Sequence, residues 1–224
     1  MSGDRPVLHS GGYDRMIRQT IPFYDEFFDQ IIELVNVLKT SAVNWPDIGC
    51  GTGRMGSAAL EGIELEKFVF CDVSGEMIQA ARERFLDRPA AEFLVCDARD
   101  LEFVNEFDVI TAIQVNHYLR GDGRKNCLER CYRALKKRGV LISFENFAPF
   151  TDAGRAAYLE KWKRYQRKQG KSLEESAKHI ERYGREYFPI TVEEHLSLLR
   201  GCGFASVEIL WLSNMQAGFW GIKE

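Results

Sequence analysis

Three acidic residues, a run of glycines and one histidine stand where a strand–helix protein can do chemistry. The segment DIGCGTGRMG, Asp47 to Gly56, leaves one apolar run and enters a helical pattern. Its glycines at 49, 51 and 53 let the backbone turn tightly and approach a ligand, and the helix start beyond them presents free amides. Gly51-x-Gly53-x-x-Gly56 also satisfies the dinucleotide fingerprint, so the glycines alone admit either kind of nucleoside cofactor. Asp72, about 20 residues beyond the loop at the end of FVFCD, is set to accept hydrogen bonds from two ribose hydroxyls. Ser74 is the candidate cap of the helix that follows. Val73 and Met77 are placed to pack on an adenine ring, or to join the core. In VCDARDL, Asp97 can accept an adenine amino hydrogen while the Ala98 amide serves a ring nitrogen; an Asx turn is the other role open to Asp97. His117 follows the fourth apolar run and titrates near neutral pH, which makes it the candidate general base; filling a strand end is its alternative.

Asp47 separates the two kinds of cofactor. A carboxylate at the mouth of the loop repels a pyrophosphate and favours a cationic nucleoside without phosphate. S-adenosylmethionine, with its ammonium and sulfonium, meets that description.

The elements that must position these residues follow an alternating order. Short apolar runs at 43–48, 67–71, 92–96, 107–115 and 139–145 alternate with helical patterns such as Glu76–Phe85 and Arg124–Lys137. Such alternation predicts a parallel sheet covered on both faces. The last two runs, VEILWLSN and MQAGFWGIK, are too close for a helical crossover and predict an antiparallel hairpin. The expected fold is therefore α/β: a Rossmann-like, doubly wound, mostly parallel sheet ending in an antiparallel hairpin. Pro46 sits awkwardly inside the first strand, where a ladder bond would be lost unless the strand is short or bulged there. Ahead of the sheet, Ile21, Phe23, Phe27, Ile31, Leu34, Val35 and Leu38 recur at helical spacing, with Pro22 placed to open the helix. The stretch 151–190 is too long for a simple connection and reads as a helical lid. One domain results, with a helical cap at 1–40, a cofactor-binding core at 41–149, a lid insertion at 150–190 and a core completion at 191–224.

At 224 residues and 45% hydrophobic content the chain has enough for one sizeable core. A net charge of -3 gives no whole-protein reason to expect nucleic acid or an anionic membrane. No apolar run approaches the roughly 20 residues of a membrane span. The leader MSGDRPVLHSGG lacks the apolar segment of a secretory signal, so a cytoplasmic protein is expected. Six cysteines without a CxxC pair suit reduced thiols, with no structural disulfide or metal site. Arg155 to Arg185 holds ten Lys or Arg against four Glu. A solvated helix surface explains this most simply, and an RNA-facing patch is the rival.

Taken together, DIGCGTG, CDVSGEMIQAAR, VCDARDL, FDVITAIQVNHYL and RALKKRGVLISFEN resemble the successive motifs of the class I S-adenosylmethionine methyltransferases over about residues 40–146, and the final hairpin extends the likeness. The resemblance implies donor contacts at Asp47, Gly49, Gly51, Asp72, Met77, Asp97, Ala98 and near Gln114. The leading YDRMIRQTIPFYDEFF is similar to the N-terminal helices of small-molecule methyltransferases and of carboxy-S-adenosylmethionine synthases, which serve tRNA modification. That likeness implies a segment closing over the donor, with Tyr13 and Arg18 reaching its carboxylate; a surface salt bridge is the alternative for Arg18.

QVNHYL lacks the Asn/Asp-Pro-Pro-Tyr/Phe signature of many enzymes that methylate planar amino groups, which lowers amino methylation of DNA. Glu145 and Asn146 can bond a substrate or local backbone. Tyr158, Trp162 and Tyr165 give the lid an aromatic face. The expected function is methyl transfer from S-adenosylmethionine to a small-molecule acceptor. The alternatives are a tRNA-related enzyme, either an RNA methyltransferase or one like the carboxy-S-adenosylmethionine synthases, and a non-catalytic S-adenosylmethionine-binding module. Oligomeric state has no readable motif.

Overall fold

A computed structural model describes residues 10–224 of the chain. Residues 1–9, the greater part of the leader read for a secretory signal, lie outside the described residues. The chain opens with α1 (Ser10–Thr20) and α2 (Tyr24–Leu38), then β1 (Val43–Ile48), α3 (Arg54–Gly62), β2 (Leu65–Asp72), α4 (Gly75–Arg84) and β3 (Ala91–Val95). β4 (Phe107–Ile113), a 3₁₀ turn at Asn116–Tyr118, α5 (Gly121–Ala134) and β5 (Leu135–Asn146) follow. The lid region supplies α6 (Asp152–Lys168) and α7 (Leu173–Ile180), and α8 (Val192–Gly201) with the hairpin β6 (Ser206–Ser213) and β7 (Gln216–Ile222) ends the chain. The strands form one seven-stranded sheet in the order β3-β2-β1-β4-β5-β7-β6. β7 is antiparallel to both its neighbours, β5 and β6, and the other pairs are parallel.

Alternation along the strands divides the core into two layers. Val140, Ile142 and Phe144 of β5 join Phe27, Phe28 and Ile31 of α2 and Met55 of α3 on one face. Leu141 of β5 faces the other layer, with Leu128 and Cys131 of α5 and Leu199 of α8. The six cysteines are free thiols, and among the described residues no cluster has the makings of a metal site. Among the same residues no helix is long and apolar enough to cross a membrane.

Three local expectations need correction. Pro22 does not open α2; it sits in the turn that separates α1 from α2, and Phe23 caps α2 in the left-handed region at φ 58. The helix expected over Arg124–Lys137 starts earlier and ends at Ala134, because Leu135 pairs with Phe107 and already belongs to β5. Pro46 is accommodated by a short ladder on the β4 side. There Asn44 N bonds the Asp108 carboxylate at 3.0 Å, and the β1–β4 pairing covers only Asp47 and Ile48. Since alternate residues of a strand face the same neighbour, the missing N–H of Pro46 falls in that gap.

Candidate active site

The glycine loop leaves β1 at the carboxyl edge of the sheet, where open α/β sheets take ligands. Gly49, Gly51 and Gly53 have φ of 70, 54 and 83, values open to glycine at no steric cost. A Cβ on Gly49 would lie 2.4 Å from Val115 Cγ2, so β4's exit also presses on the turn. Gly56 has a different duty: its Cβ would meet Phe70 Cε1 at 2.2 Å, so it lets α3 pack close on β2.

Asp72 at the end of β2 braces the loop, accepting Gly51 N through Oδ2 and Ser74 N through Oδ1, each at 2.9 Å. A carboxylate offers about four lone-pair sites, so two remain. Ser74 caps α4 by accepting Met77 N. Val73 is 70% exposed beside Asp72, and Met77 is half-buried. From above, α1 closes on the loop: the Tyr13 ring lies 3.7 Å from where a Gly51 Cβ would stand, and Thr52 Oγ1 donates to Asp14 at 2.7 Å.

Asp47, Asp97 and Arg18 stand differently from expectation. Asp47 is not at the mouth of the loop but beneath it, 2% exposed, with Thr111 Oγ1 donating to it at 2.7 Å. Burial pushes its carboxyl up to about 7, against the Thr111 bond and with some help from the charge of Asp72. It therefore carries only part of a charge at neutral pH, which weakens the repulsion argument built on it. Asp97 takes the Asx role: its Oδ1 accepts Arg99 N and Nε, and its Oδ2 accepts the guanidinium at 2.6 Å. The bonds from Arg99 hold its carboxyl below the usual range. Arg18 forks onto Asp25 at 2.7 and 3.0 Å as an exposed pair, the salt-bridge role, and is not aimed at the loop. Ala98 is half-buried against the core layer under α5.

The second half of the edge is the exit of β4 and β5. Gln114 leaves β4 at φ 59, held by its N–H on the Phe144 carbonyl at 2.7 Å. Its Nε2 bonds Phe144 O and Gln216 Oε1, and its buried Oε1 has no partner. His117 is 2% exposed in the 3₁₀ turn, with Nδ1 2.7 Å from Glu145 Oε2. Burial works to raise the Glu145 carboxyl, but the bond and charge of His117 bring it below the usual range. The lid fastens here directly. Phe188 N donates to the His117 carbonyl at 2.6 Å, and the buried Arg124 bonds both Asn116 O and Phe188 O. The buried Tyr187 ring stands edge-on to His117 at 6.0 Å.

Several participants escaped sequence reading. Asp14, Thr52, Arg124 and Gln216 were not singled out as site residues, and each acts through a partner between 8 and 102 positions away. The available hint was Arg124, a cation on the apolar face of α5 next to Cys127, Leu128 and Cys131. Of the aromatic stripe, Trp162 is buried against the cap, whereas Tyr158 is 38% exposed.

Comparison with known proteins gives this geometry a family. Residues 46–139 match the family described as a methyltransferase domain. Over that stretch the chain is similar to class I methyltransferase domains. Curated relatives include proteins named carboxy-S-adenosyl-L-methionine synthase, from Helicobacter hepaticus at 26% identity over 89% of this chain and 85% of the relative. The one from Helicobacter pylori strain Shi470 is 28% identical over 93% and 88%. Among solved structures, the YcgJ protein of Bacillus subtilis superposes with a TM-score of 0.68 at 14% identity, over 89% of this chain and 99% of that one. A candidate S-adenosyl-L-methionine-dependent methyltransferase of Methanococcus maripaludis gives 0.64 at 19% identity, over 100% and 97%. These two share the fold.

S-adenosylmethionine is the cofactor of this methyltransferase family, and the edge suits it chemically. The positive-φ glycines leave backbone exposed to a ligand, Asp72 keeps free lone pairs for hydroxyls, and Gln114 Oε1 is a buried acceptor waiting for a donor hydrogen. An unmade bond at such an atom costs about 1–3 kcal/mol, so a ligand that supplies it gains accordingly.

Proposed function

We propose that this protein transfers the methyl group of S-adenosylmethionine to a small-molecule acceptor enclosed under α6 and α7, within a single domain. Gly49, Gly51, Asp72, Val73, Met77 and Tyr13 form the cradle, with Gln114 toward the amino-acid end and Ala98 at the base, and Asp47 acts only from its buried place on Thr111. Asp97 and Arg18 have smaller parts, being engaged by Arg99 and Asp25. Bound S-adenosylmethionine supplies an electrophilic methyl on a sulfonium; the protein's own work is to align the acceptor and keep water out. His117 is the residue we assign to receive a proton.

The observation that carries this reading is the bond from the lid to the histidine turn, Phe188 N to His117 O, backed by Arg124 and roofed by Tyr187. An acceptor lying against His117 must fit beneath that roof, which favours a small molecule over a folded nucleic acid. Part of the basic excess of the lid is also spent internally: Arg164 pairs with Glu160 and Arg182 with Glu186.

The test supplies methyl-labelled S-adenosylmethionine to the full chain together with a small-metabolite extract or with total RNA. Label in the small-molecule fraction is the expected outcome, and label confined to RNA refutes the reading. A second reading, synthesis of a carboxylated donor, is favoured by the names of relatives that align over some nine-tenths of the chain. Mass spectrometry of co-purified ligand separates the two, since a carboxylated donor supports the second.

A further inference from the structure

The proposed proton acceptor has a partner that fixes more than one side chain. Glu145 is 3% exposed, and four donors converge on it. Its Oε1 accepts Asn116 N and Nδ2, each at 3.0 Å. Its Oε2 accepts His117 N at 3.1 Å and lies 2.7 Å from His117 Nδ1. An ionised carboxylate only accepts, so the hydrogen between it and the imidazole belongs to Nδ1, and in the neutral ring Nε2 is left with the lone pair. The same reasoning orients Asn116. Its amide nitrogen is bound to Glu145, so its other end is Oδ1, and that oxygen is buried without a partner in a residue that is 0% exposed. Buried acceptors of this kind are few in folded proteins, and this one sits next in sequence to His117.

We propose that Glu145 is a positioning residue that presents Asn116 Oδ1 and His117 Nε2 as two hydrogen-bond acceptors, selecting a second substrate whose nucleophile bears an O–H or N–H. The inference rests on the small-acceptor reading and adds the substrate class. In the transfer, the heteroatom's bond to hydrogen breaks as its bond to the methyl carbon forms. The C–S electron pair stays on sulfur as a neutral thioether, and the proton goes to Nε2, so the positive charge passes from sulfonium to imidazolium. Asn116 Oδ1 receives a second hydrogen of an amine or of a neighbouring hydroxyl. Thioether sulfur and tertiary amines offer neither atom a hydrogen and fall outside the class.

The experiment has two arms. Nitrogen-15 NMR of the histidines in the full chain with S-adenosylhomocysteine, assigned with His117→Gln, should show the neutral form of His117 as the Nδ1–H tautomer. Glu145→Gln should lose that preference and Glu145→Asp should keep it. A wild-type His117 protonated on Nε2 overturns the proposal whether or not the variants fold. In the second arm, transfer into the small-molecule fraction that takes label should fall at least about 100-fold in kcat for Glu145→Gln, the scale of general-base catalysis. S-adenosylhomocysteine affinity should barely move, the melting temperature should fall because the glutamine NH2 then faces buried donors, and Glu145→Asp should recover part of the rate. Equal transfer by Glu145→Gln, or labelled products confined to thioether or tertiary-amine acceptors, overturns the proposal. Label in no small molecule is instead the failure of the earlier reading.

Discussion

Trp162 Nε1 donates to the Thr20 carbonyl across 2.6 Å, joining the middle of α6 to the last turn of α1. The Tyr165 hydroxyl reaches the Arg18 and Ile21 carbonyls at 3.1 and 3.4 Å, and Gln19 Nε2 reaches the Gln169 carbonyl at 2.9 Å. These bonds satisfy carbonyls that the end of a helix leaves open. The other end of α1 clasps the glycine loop through Asp14 and Thr52. Cap and lid, far apart in sequence, therefore share one fastening that runs from the cofactor loop to the roof over His117.

Trp162→Phe removes that bond while keeping a ring, and should cost about 1–3 kcal/mol, the penalty of a carbonyl left buried without its donor. Trp162→Ala adds a cavity and should cost about 3–5 kcal/mol. Urea denaturation checks both values. Limited proteolysis should cut first between residues 10 and 23 in either variant; unchanged cleavage there means that the lid does not hold the cap.

Asp72→Ala removes the acceptor of Gly51 N and Ser74 N together with the lone pairs assigned to the ribose. Two charge-assisted bonds lost on binding amount to roughly 3 kcal/mol or more, which is a loss of more than about 100-fold in S-adenosylhomocysteine affinity. Calorimetric titration measures it. Asp97→Ala, whose carboxylate already serves Arg99, should lose far less; equal losses would mean the adenine end is held as firmly as the ribose.

The sheet was readable from sequence because its central strands are buried on both faces and appear as plain apolar runs, and the closing hairpin because its two runs leave no room for a crossover. The glycine turn and its brace at Asp72 were legible because both are matters of backbone geometry at fixed spacing. Asp97 and Arg18 were misjudged because a side chain's partner is not encoded in its own position. Arg99, two residues on, and Asp25, across the Pro22 turn, satisfied them first. Asp47 was misjudged on burial, since the chain that buries it, with Trp45 on Thr111 and Thr111 on its carboxylate, comes from β4 as well as β1. Glu145 drew notice as a contact to a substrate or to local backbone, and its hold on Asn116 and His117 needed the register of β4 against β5.

Asp47 also makes stability depend on pH in a definite direction. Its folded carboxyl sits at about 7, above the ordinary 3.8, so the folded state holds a proton that the unfolded chain releases. Stability from this group is complete below about pH 4 and is lost as pH rises through 7, on the order of 4 kcal/mol in all. Asp47→Asn still accepts from Thr111 and carries no charge, so relative to the parent it should gain stability between pH 5 and pH 8. Urea titrations at the two pH values give the difference; a variant that tracks the parent at both would show that Asp47 is ionised throughout.

Two glycine substitutions, opposite in sign, test how closely α3 packs on the sheet. In Gly56→Ala the new methyl would lie 2.2 Å from Phe70 Cε1 and 3.2 Å from Phe68 Cε1, and Phe70 is itself stacked on Phe85 and Phe93. That ring has nowhere to turn, so α3 must lift, at a cost of about 1–3 kcal/mol typical of an overpacked core. Lifting α3 also drags the glycine loop from Asp72, so S-adenosylhomocysteine affinity should fall with stability. Gly201→Ala, at the end of α8, meets nothing within 4 Å and needs no left-handed backbone. It should raise stability by about 0.5–1 kcal/mol through helix propensity alone, leaving cofactor affinity unchanged. Thermal melts with and without S-adenosylhomocysteine read both effects, and a Gly56→Ala protein as stable as the parent would mean that the α3–β2 contact is looser than the ring positions require.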